Sequence, residues 1–209
     1  MTPDVRPSRD VVLQQGVIGR SQHEQKHGHR GTVVWLTGLP GSGKSSVAYN
    51  AEEHLYRLGY RTVVLDGDNL RQGLCSDLGF SLTDRHENMR RVGEVARLFL
   101  DMGVVVFVAL VSPIRLARDT VRQMFSHGDY LEVYCRCPVE ICRTRDPKGH
   151  YAQADSGQIA QFTGVSSPYE EPQDPDLVID TGTESLDESV NRLTVFLLTH
   201  LRATAASPL

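Results

Sequence analysis

Eight consecutive residues constrain this chain more than any other feature: Gly38-Leu39-Pro40-Gly41-Ser42-Gly43-Lys44-Ser45. They follow a short apolar run, Thr32–Thr37, and open a helical pattern, Lys44–Leu58, which Gly59 ends. With a strand before and a helix after it, the pattern is a phosphate-binding loop. Its glycines let backbone N–H groups converge on phosphate oxygens, and the helix presents its positive N-terminal end to the anion. Gly38, Gly41, Ser42, Gly43, Lys44, Ser45 and Ser46 are the candidate nucleotide-binding residues. Lys44 would reach the outer phosphates as a point charge, and the Ser45 hydroxyl would complete the coordination of Mg²⁺.

The rest of the sequence supplies the fold for such a loop. Thr62–Leu65 reads as a second apolar strand, Asp84–Met102 as a long helix and Val104–Val111 as a strand buried on both faces. Pro113–Phe125 (helix), Tyr130–Cys135 (strand) and Val139–Thr144 (helix) follow. Gly149–Pro175 is rich in Gly, Ser, Pro and Gln and reads as a mobile loop region. Leu177–Ile179 and Leu186–Leu201 form the last strand and helix. This alternation predicts an α/β fold: the three-layer P-loop NTPase architecture, with a mostly parallel central sheet flanked by helices. Residues 1–30 are polar, carry His23, His27 and His29, and read as a flexible or loosely docked extension; a domain is expected over 31–204.

Composition narrows the partners. The 209 residues carry 22 basic and 26 acidic side chains, a net charge of −4, which argues against a general nucleic-acid or membrane surface. Any anion site is therefore local. No segment approaches membrane-spanning length, and residues 1–30 hold no apolar run like a signal peptide, so a cytoplasmic location is expected. Cys75, Cys135, Cys137 and Cys142 form no CxxC pair and read as buried structural thiols.

The phosphate loop does not name the acceptor. The guanine-reading Asn-Lys-x-Asp of Ras-type GTPases is absent. Acidic residues lie instead beyond the second strand, in Leu65-Asp66-Gly67-Asp68-Asn69. A carboxylate past a strand tip faces the ligand crevice of such a sheet and can orient or deprotonate a hydroxyl. Asp68 is the candidate for that role; Asp66 reads equally as a cap of the next helix. Arg71 lies one turn past Asp68, and Arg85 and Asn88 share a helix face. Guanidinium forks suit phosphate and sulfate.

Beyond the loop, the sequence resembles the adenylylsulfate kinase family over about residues 31–201. The matching stretches are Trp35-Leu-Thr-Gly-Leu, Leu65-Asp-Gly-Asp-Asn, Asp77-Leu-Gly-Phe, Asp84-Arg-x-Glu-Asn and Arg90-Arg-Val-Gly-Glu-Val-Ala. They continue in family order with Val111-Ser-Pro, Arg145-Asp-Pro-Lys-Gly, Phe162-Thr-Gly and Pro168-Tyr-Glu. The resemblance implies transfer of the ATP γ-phosphoryl group to the 3′-hydroxyl of adenosine 5′-phosphosulfate, with Mg²⁺, giving 3′-phosphoadenosine 5′-phosphosulfate. It implies Asp68, Lys44 and Ser112 as catalytic residues. Arg71, Arg85, Asn88 and Val111 would contact the acceptor, Phe80 and Phe162 would sandwich its adenine, and Arg145 would border the ATP. It also implies a homodimer and a functional link to ATP sulfurylase.

The sequence departs from the family pattern in two places. Pro40 replaces the usual serine and removes an N–H from the phosphate loop. The lid, usually Leu-Tyr-Lys-Lys-Ala-Arg-Ala-Gly, reads His150-Tyr151-Ala152-Gln153-Ala154-Asp155-Ser156-Gly157. Losing three cations and gaining an aspartate predicts weaker screening of the transferring phosphoryl group, unless Arg143, Arg145, Lys148 or a partner chain compensates. Two alternatives follow: a 3′-hydroxyl kinase for another nucleotide-like acceptor, or a weakly active regulatory relative.

Overall fold

A computed structural model describes residues 12, 14 and 16–202 of the chain. The first part of the polar extension, and residues 203–204 of the expected domain, lie outside the described residues.

Strand β1 spans Thr32–Thr37, and all six of its residues are buried. They can be buried together because layers of helix cover both faces. Helix α1 (Arg20–His27) precedes it. After β1 come α2 (Lys44–Arg57), β2 (Thr62–Asp66), α3 (Gly67–Leu70), α4 (Leu82–Asp101), β3 (Val105–Ala109) and α5 (Arg115–Arg122). Then follow β4 (Tyr130–Arg136), α6 (Val139–Arg145), α7 (His150–Asp155), β5 (Leu177–Asp180) and α8 (Leu186–His200). The five strands pair in parallel in the order β2-β3-β1-β4-β5.

Alternate residues of β1 enter opposite layers, as the two-residue period of a strand requires. Val34 and Leu36 pack with Val47, Ala51 and Leu55 of α2 and Val190, Leu193 and Leu197 of α8. Val33 and Trp35 pack on the other face with Met89, Val92 and Ala96 of α4 and Ala117 and Val121 of α5. The apolar positions of α2 and α4 recur at helical spacing, so each helix buries one stripe. The expected three-layer architecture is present. All four cysteines are unpaired and buried, and Cys137 lies just past the end of β4. Among the described residues no helix is long and apolar enough to cross a membrane.

Three expectations change. The helix expected over 113–125 begins at Arg115, because Ser112 takes a positive φ of 47° and Ile114 is extended. The 149–175 region is not irregular throughout, since it contains α7 and buries Tyr151 and Phe162 in a third cluster with Cys137 and Cys142. The Asp146 carboxylate accepts from the Tyr151 and Ala152 N–H groups at 3.1–3.2 Å and so caps α7. Finally, residues 20–30 hold a helix anchored to the domain. Arg20 pairs with Asp129 at 2.6 Å, and His29 Nε2 accepts from the Arg61 N–H at 2.9 Å. Composition carries no sign of these anchors because each is a long-range contact by a polar side chain.

Candidate active site

The phosphate loop joins β1 to α2, and its backbone accounts for its glycines. At Gly38 an added Cβ would lie 2.6 Å from Cys135 O and 2.7 Å from Ser42 Oγ. At Gly41, with φ of 76°, it would lie 2.9 Å from Cys142 O. No side chain fits at either position. Lys44 is buried at the start of α2, and its ammonium donates to Gly38 O at 3.0 Å and Leu39 O at 2.7 Å. Burial pushes Lys44 down to about 8. Ser42 is fully buried, and its carbonyl accepts from Thr181 Oγ1 at 2.7 Å. Gly38 and Ser42 therefore build the loop from behind, whereas Gly41, Gly43, Lys44, Ser45 and Ser46 line a cavity.

That cavity encloses about 1110 Å³. At one end, Lys44 and Ser45 meet Arg145, Thr181 and Leu186. Arg145 Nη2 donates to Thr181 O at 2.6 Å. At the other end stand Asp68, Arg71, Phe80, Arg85, Asn88 and Phe162, with Val111 and Ser112 along the wall past β3. One space thus runs from the donor loop to the predicted acceptor residues, in line with ligands lying outside the C-terminal ends of parallel strands.

Between the two ends, Ser45 Oγ donates to Asp66 Oδ2 at 2.6 Å. The other Asp66 oxygen accepts from the Asp68 N–H at 3.0 Å and caps α3. Asp66 is the cap that the sequence offered as one of its two readings, and its second oxygen contacts the loop serine. The sequence placed Asp66 at a strand tip, but only the parallel register brings that tip to Ser45. These are hard oxygen donors beside a phosphate loop. They fit Mg²⁺, which uses one or two protein oxygens and fills its remaining positions with water and phosphate. No group of three or more His, Cys, Asp or Glu side chains suited to a metal ion occurs among the described residues.

At the Arg71–Arg85 end no ion pair to either guanidinium occurs among the described residues. Arg71 Nη1 donates to Leu78 O and Gly79 O, and Arg85 donates to Phe80 O and Gln161 O. Both guanidinia thus bond to backbone carbonyls and not to carboxylates among the described residues. Burial, and then the charge of Arg71, hold Arg85 below its ordinary value. Both flank the Phe80 ring, at 4.3 and 5.5 Å from its centroid. Phe80 is 56% exposed and not a core residue, whereas Phe162 is 8% exposed and packs edge-on to Tyr151. Asn88 is buried, and its Nδ2 has no partner among the described residues. The Ser112 hydroxyl is buried and accepts from Trp35 Nε1 at 2.9 Å.

The two departures from the family pattern meet in space. Pro40 has no N–H, but its carbonyl accepts from the Tyr151 hydroxyl of the lid helix at 2.9 Å. Of the cations expected to compensate for the depleted lid, Arg145 and Lys148 line the cavity, and the Lys148 ammonium contacts the Asp68 carboxylate. Arg143 does not compensate, because it pairs with the added Asp155 at 2.7 Å. The sequence named Asp66 and Tyr151 but not the contacts of Asp66 with Ser45 and of Tyr151 with Pro40, since each joins distant segments.

The adenylylsulphate kinase family profile matches residues 30–180. The adenylyl-sulfate kinase of Prochlorococcus marinus is 50% identical over 184 residues, covering 88% of this chain and 92% of its own length. That of Thermodesulfovibrio yellowstonii is 46% identical, covering 94% of this chain and 98% of its own. Among solved structures, the Mycobacterium tuberculosis APS kinase in complex with AMPPNP and APS is 47% identical. It superposes with a TM-score of 0.77 over 81% of this chain and 98% of its own. Profile, relatives and fold agree, and the chain belongs to the adenylylsulfate kinase family.

Proposed function

We infer that this chain transfers the γ-phosphoryl group of ATP to the 3′-hydroxyl of adenosine 5′-phosphosulfate. The observation that carries this reading is the continuous cavity. A phosphate loop stands at one end, and two arginines bonded only to backbone carbonyls among the described residues, an exposed aromatic ring and a carboxylate stand at the other. Such transfer needs little covalent chemistry from the protein, so positioning and charge do most of the work.

On this reading Lys44 turns from the loop carbonyls to the β- and γ-phosphates, while Arg145 borders the ATP. Ser45 and Asp66 would hold Mg²⁺, which when bound neutralises charge across the β- and γ-oxygens. Asp68 orients the acceptor hydroxyl and receives its proton. Because Lys148 contacts Asp68, the hydroxyl takes over one side of that carboxylate as the acceptor enters. The released ammonium is then free to screen the transferring group. Arg71 and Arg85 receive the phosphosulfate, Asn88 donates to it, and Phe80 and Phe162 hold the adenine. Val111 and Ser112 form the wall.

We also propose a homodimer. Leu98 and Met102, 65% and 50% exposed near the end of α4, offer an apolar face for it. A cytoplasmic location suits four unpaired cysteines. The acceptor would come from a sulfurylase that joins sulfate to an adenylyl group.

A coupled assay of ADP release tests the activity across a panel of nucleotide acceptors. Adenosine phosphosulfate is expected to be preferred; no acceptor-dependent ADP release from folded protein with Mg²⁺ would refute the reading. Asp68→Asn is expected to cut kcat by about 10²-fold or more while ADP still binds; unchanged kcat would remove Asp68 from the chemistry.

A further inference from the structure

Two motifs of the sequence, Val111-Ser112-Pro113 and Pro168-Tyr169-Glu170, are joined by the fold through a residue that touches neither substrate site. Among the described residues Ser112, with φ of 47°, is the one non-glycine in the left-handed region, a conformation that residues with a side chain avoid. Its carbonyl accepts from Arg118 Nη1 at 2.7 Å. Arg118 is 2% exposed. Its Nη2 donates to Glu170 O at 2.7 Å, and its Nε lies 2.8 Å from Glu132 Oε1. The Glu170 N–H donates to Pro113 O at 2.8 Å, and the Glu170 carboxylate accepts from the Arg115 N–H at 2.7 Å, at the start of α5. The Tyr169 hydroxyl lies 2.9 Å from Thr37 Oγ1. Thr37 Oγ1 in turn donates to Val111 O at 2.8 Å, and Thr37 immediately precedes the phosphate loop.

Burying a guanidinium for stability alone is poor economy, since an apolar side chain would fill the space without desolvating a charge. Here Glu132 balances the charge, and the rigid fork spans two carbonyls from distant segments, which lysine cannot do. We propose that Arg118 is a positioning residue for the acceptor. It holds Ser112 in its left-handed turn and clamps the Val111–Ser112 wall to Glu170. Tyr169 braces the same wall from the other side, because the Thr37 hydroxyl beside it also holds Val111 O. The assignment rests on the reading above that this wall faces the acceptor.

Steady-state kinetics for both substrates test it. Arg118→Lys keeps a cation beside Glu132 but cannot bridge both carbonyls. It is expected to raise the KM for adenosine phosphosulfate about tenfold and to leave the KM for ATP within about twofold. A lower melting temperature with both KM values unchanged would mean a merely structural role and overturn the proposal, as would an equal rise in both. Tyr169→Phe keeps the ring stacked on Tyr134 at 6.1 Å and loses only the hydroxyl. Its acceptor KM is expected to rise about threefold. If Arg118→Lys does not fold, an unchanged acceptor KM in Tyr169→Phe overturns the proposal. Hydrogen exchange keeps the test independent of the assigned activity. In either folded variant the amides of Arg115 and Glu170, which bond across this junction, should exchange about tenfold faster, with strand amides unchanged; wild-type protection there would refute the clamp. Wild-type protein with no adenosine phosphosulfate turnover would refute the activity alone.

Discussion

Burial pushes the Lys44 ammonium down to about 8, and the nearby Asp66 and Asp68 carboxylates offset only part of that. A polyphosphate favours the protonated form, so nucleotide binding raises the lysine pKa. The sign follows: below about pH 8 the lysine is already charged and affinity is flat, whereas above it each binding event must also take up a proton. ADP affinity should therefore be about tenfold weaker at pH 9 than at pH 7. Calorimetry in two buffers of different ionisation enthalpy should register proton uptake at pH 9. A dissociation constant independent of pH over this range would mean that Lys44 stays charged without its ligand. At the same scale His29 behaves oppositely to a surface histidine. Burial lowers its pKa, outweighing the hydrogen bond from its Nδ1–H to Arg30 O. Below the ordinary value of 6.5 the unfolded chain binds a proton that folded His29 resists, so stability falls as pH drops through that value. His29→Gln should flatten the fall in melting temperature between pH 7.5 and 5.5; a slope equal to the wild type's would place the acid sensitivity elsewhere.

At the scale of elements, the lid helix α7 is held from three directions. Asp146 caps it, Tyr151 ties it to Pro40 O, and Asp155 ties it to Arg143. Asp155, where the family pattern has an arginine, fixes the helix instead of reaching for substrate, and Ala152 and Gln153 stand where it has lysines. Restoring both lysines, as Ala152→Lys with Gln153→Lys, should lower the KM for both anionic substrates, each charge contributing about 1 kcal/mol or about fivefold. The gain should shrink at high salt because α7 is largely exposed at those positions. Equal kinetics in wild type and double variant, measured at low ionic strength, would show that the lid no longer approaches the phosphates. The N-terminal helix α1 is a comparable case of position set by a few polar contacts, with Arg20 reaching both Asp129 and Gly31 O.

At the scale of the molecule, what the sequence revealed and what it hid have different physical origins. The strands and long helices were legible because burial imposes a period: six apolar or small residues in β1, and stripes at helical spacing in α2 and α4. The donor loop was legible because its chemistry is local. The pairing of Ser45 with Asp66, of Tyr151 with Pro40 and of Arg118 with Glu170 was not, since each joins segments that no local period relates. Those contacts all converge on the C-terminal edge of one sheet, whose strands carry both hydrophobic layers. Val33 and Trp35 serve one layer, and Val34 and Leu36 the other. Neither layer can then melt without removing packing from the strands that hold its counterpart, so the domain should unfold as one unit. ADP at about 100 times its dissociation constant should add about 2.7 kcal/mol. For a chain of this size that raises the melting temperature by about 5–10 °C. Calorimetry should record one transition that moves as a whole. If instead ADP shifted one of two resolved transitions, the α2–α8 layer and the α4–α5 layer would be separable units, and a site built between them could open without unfolding either.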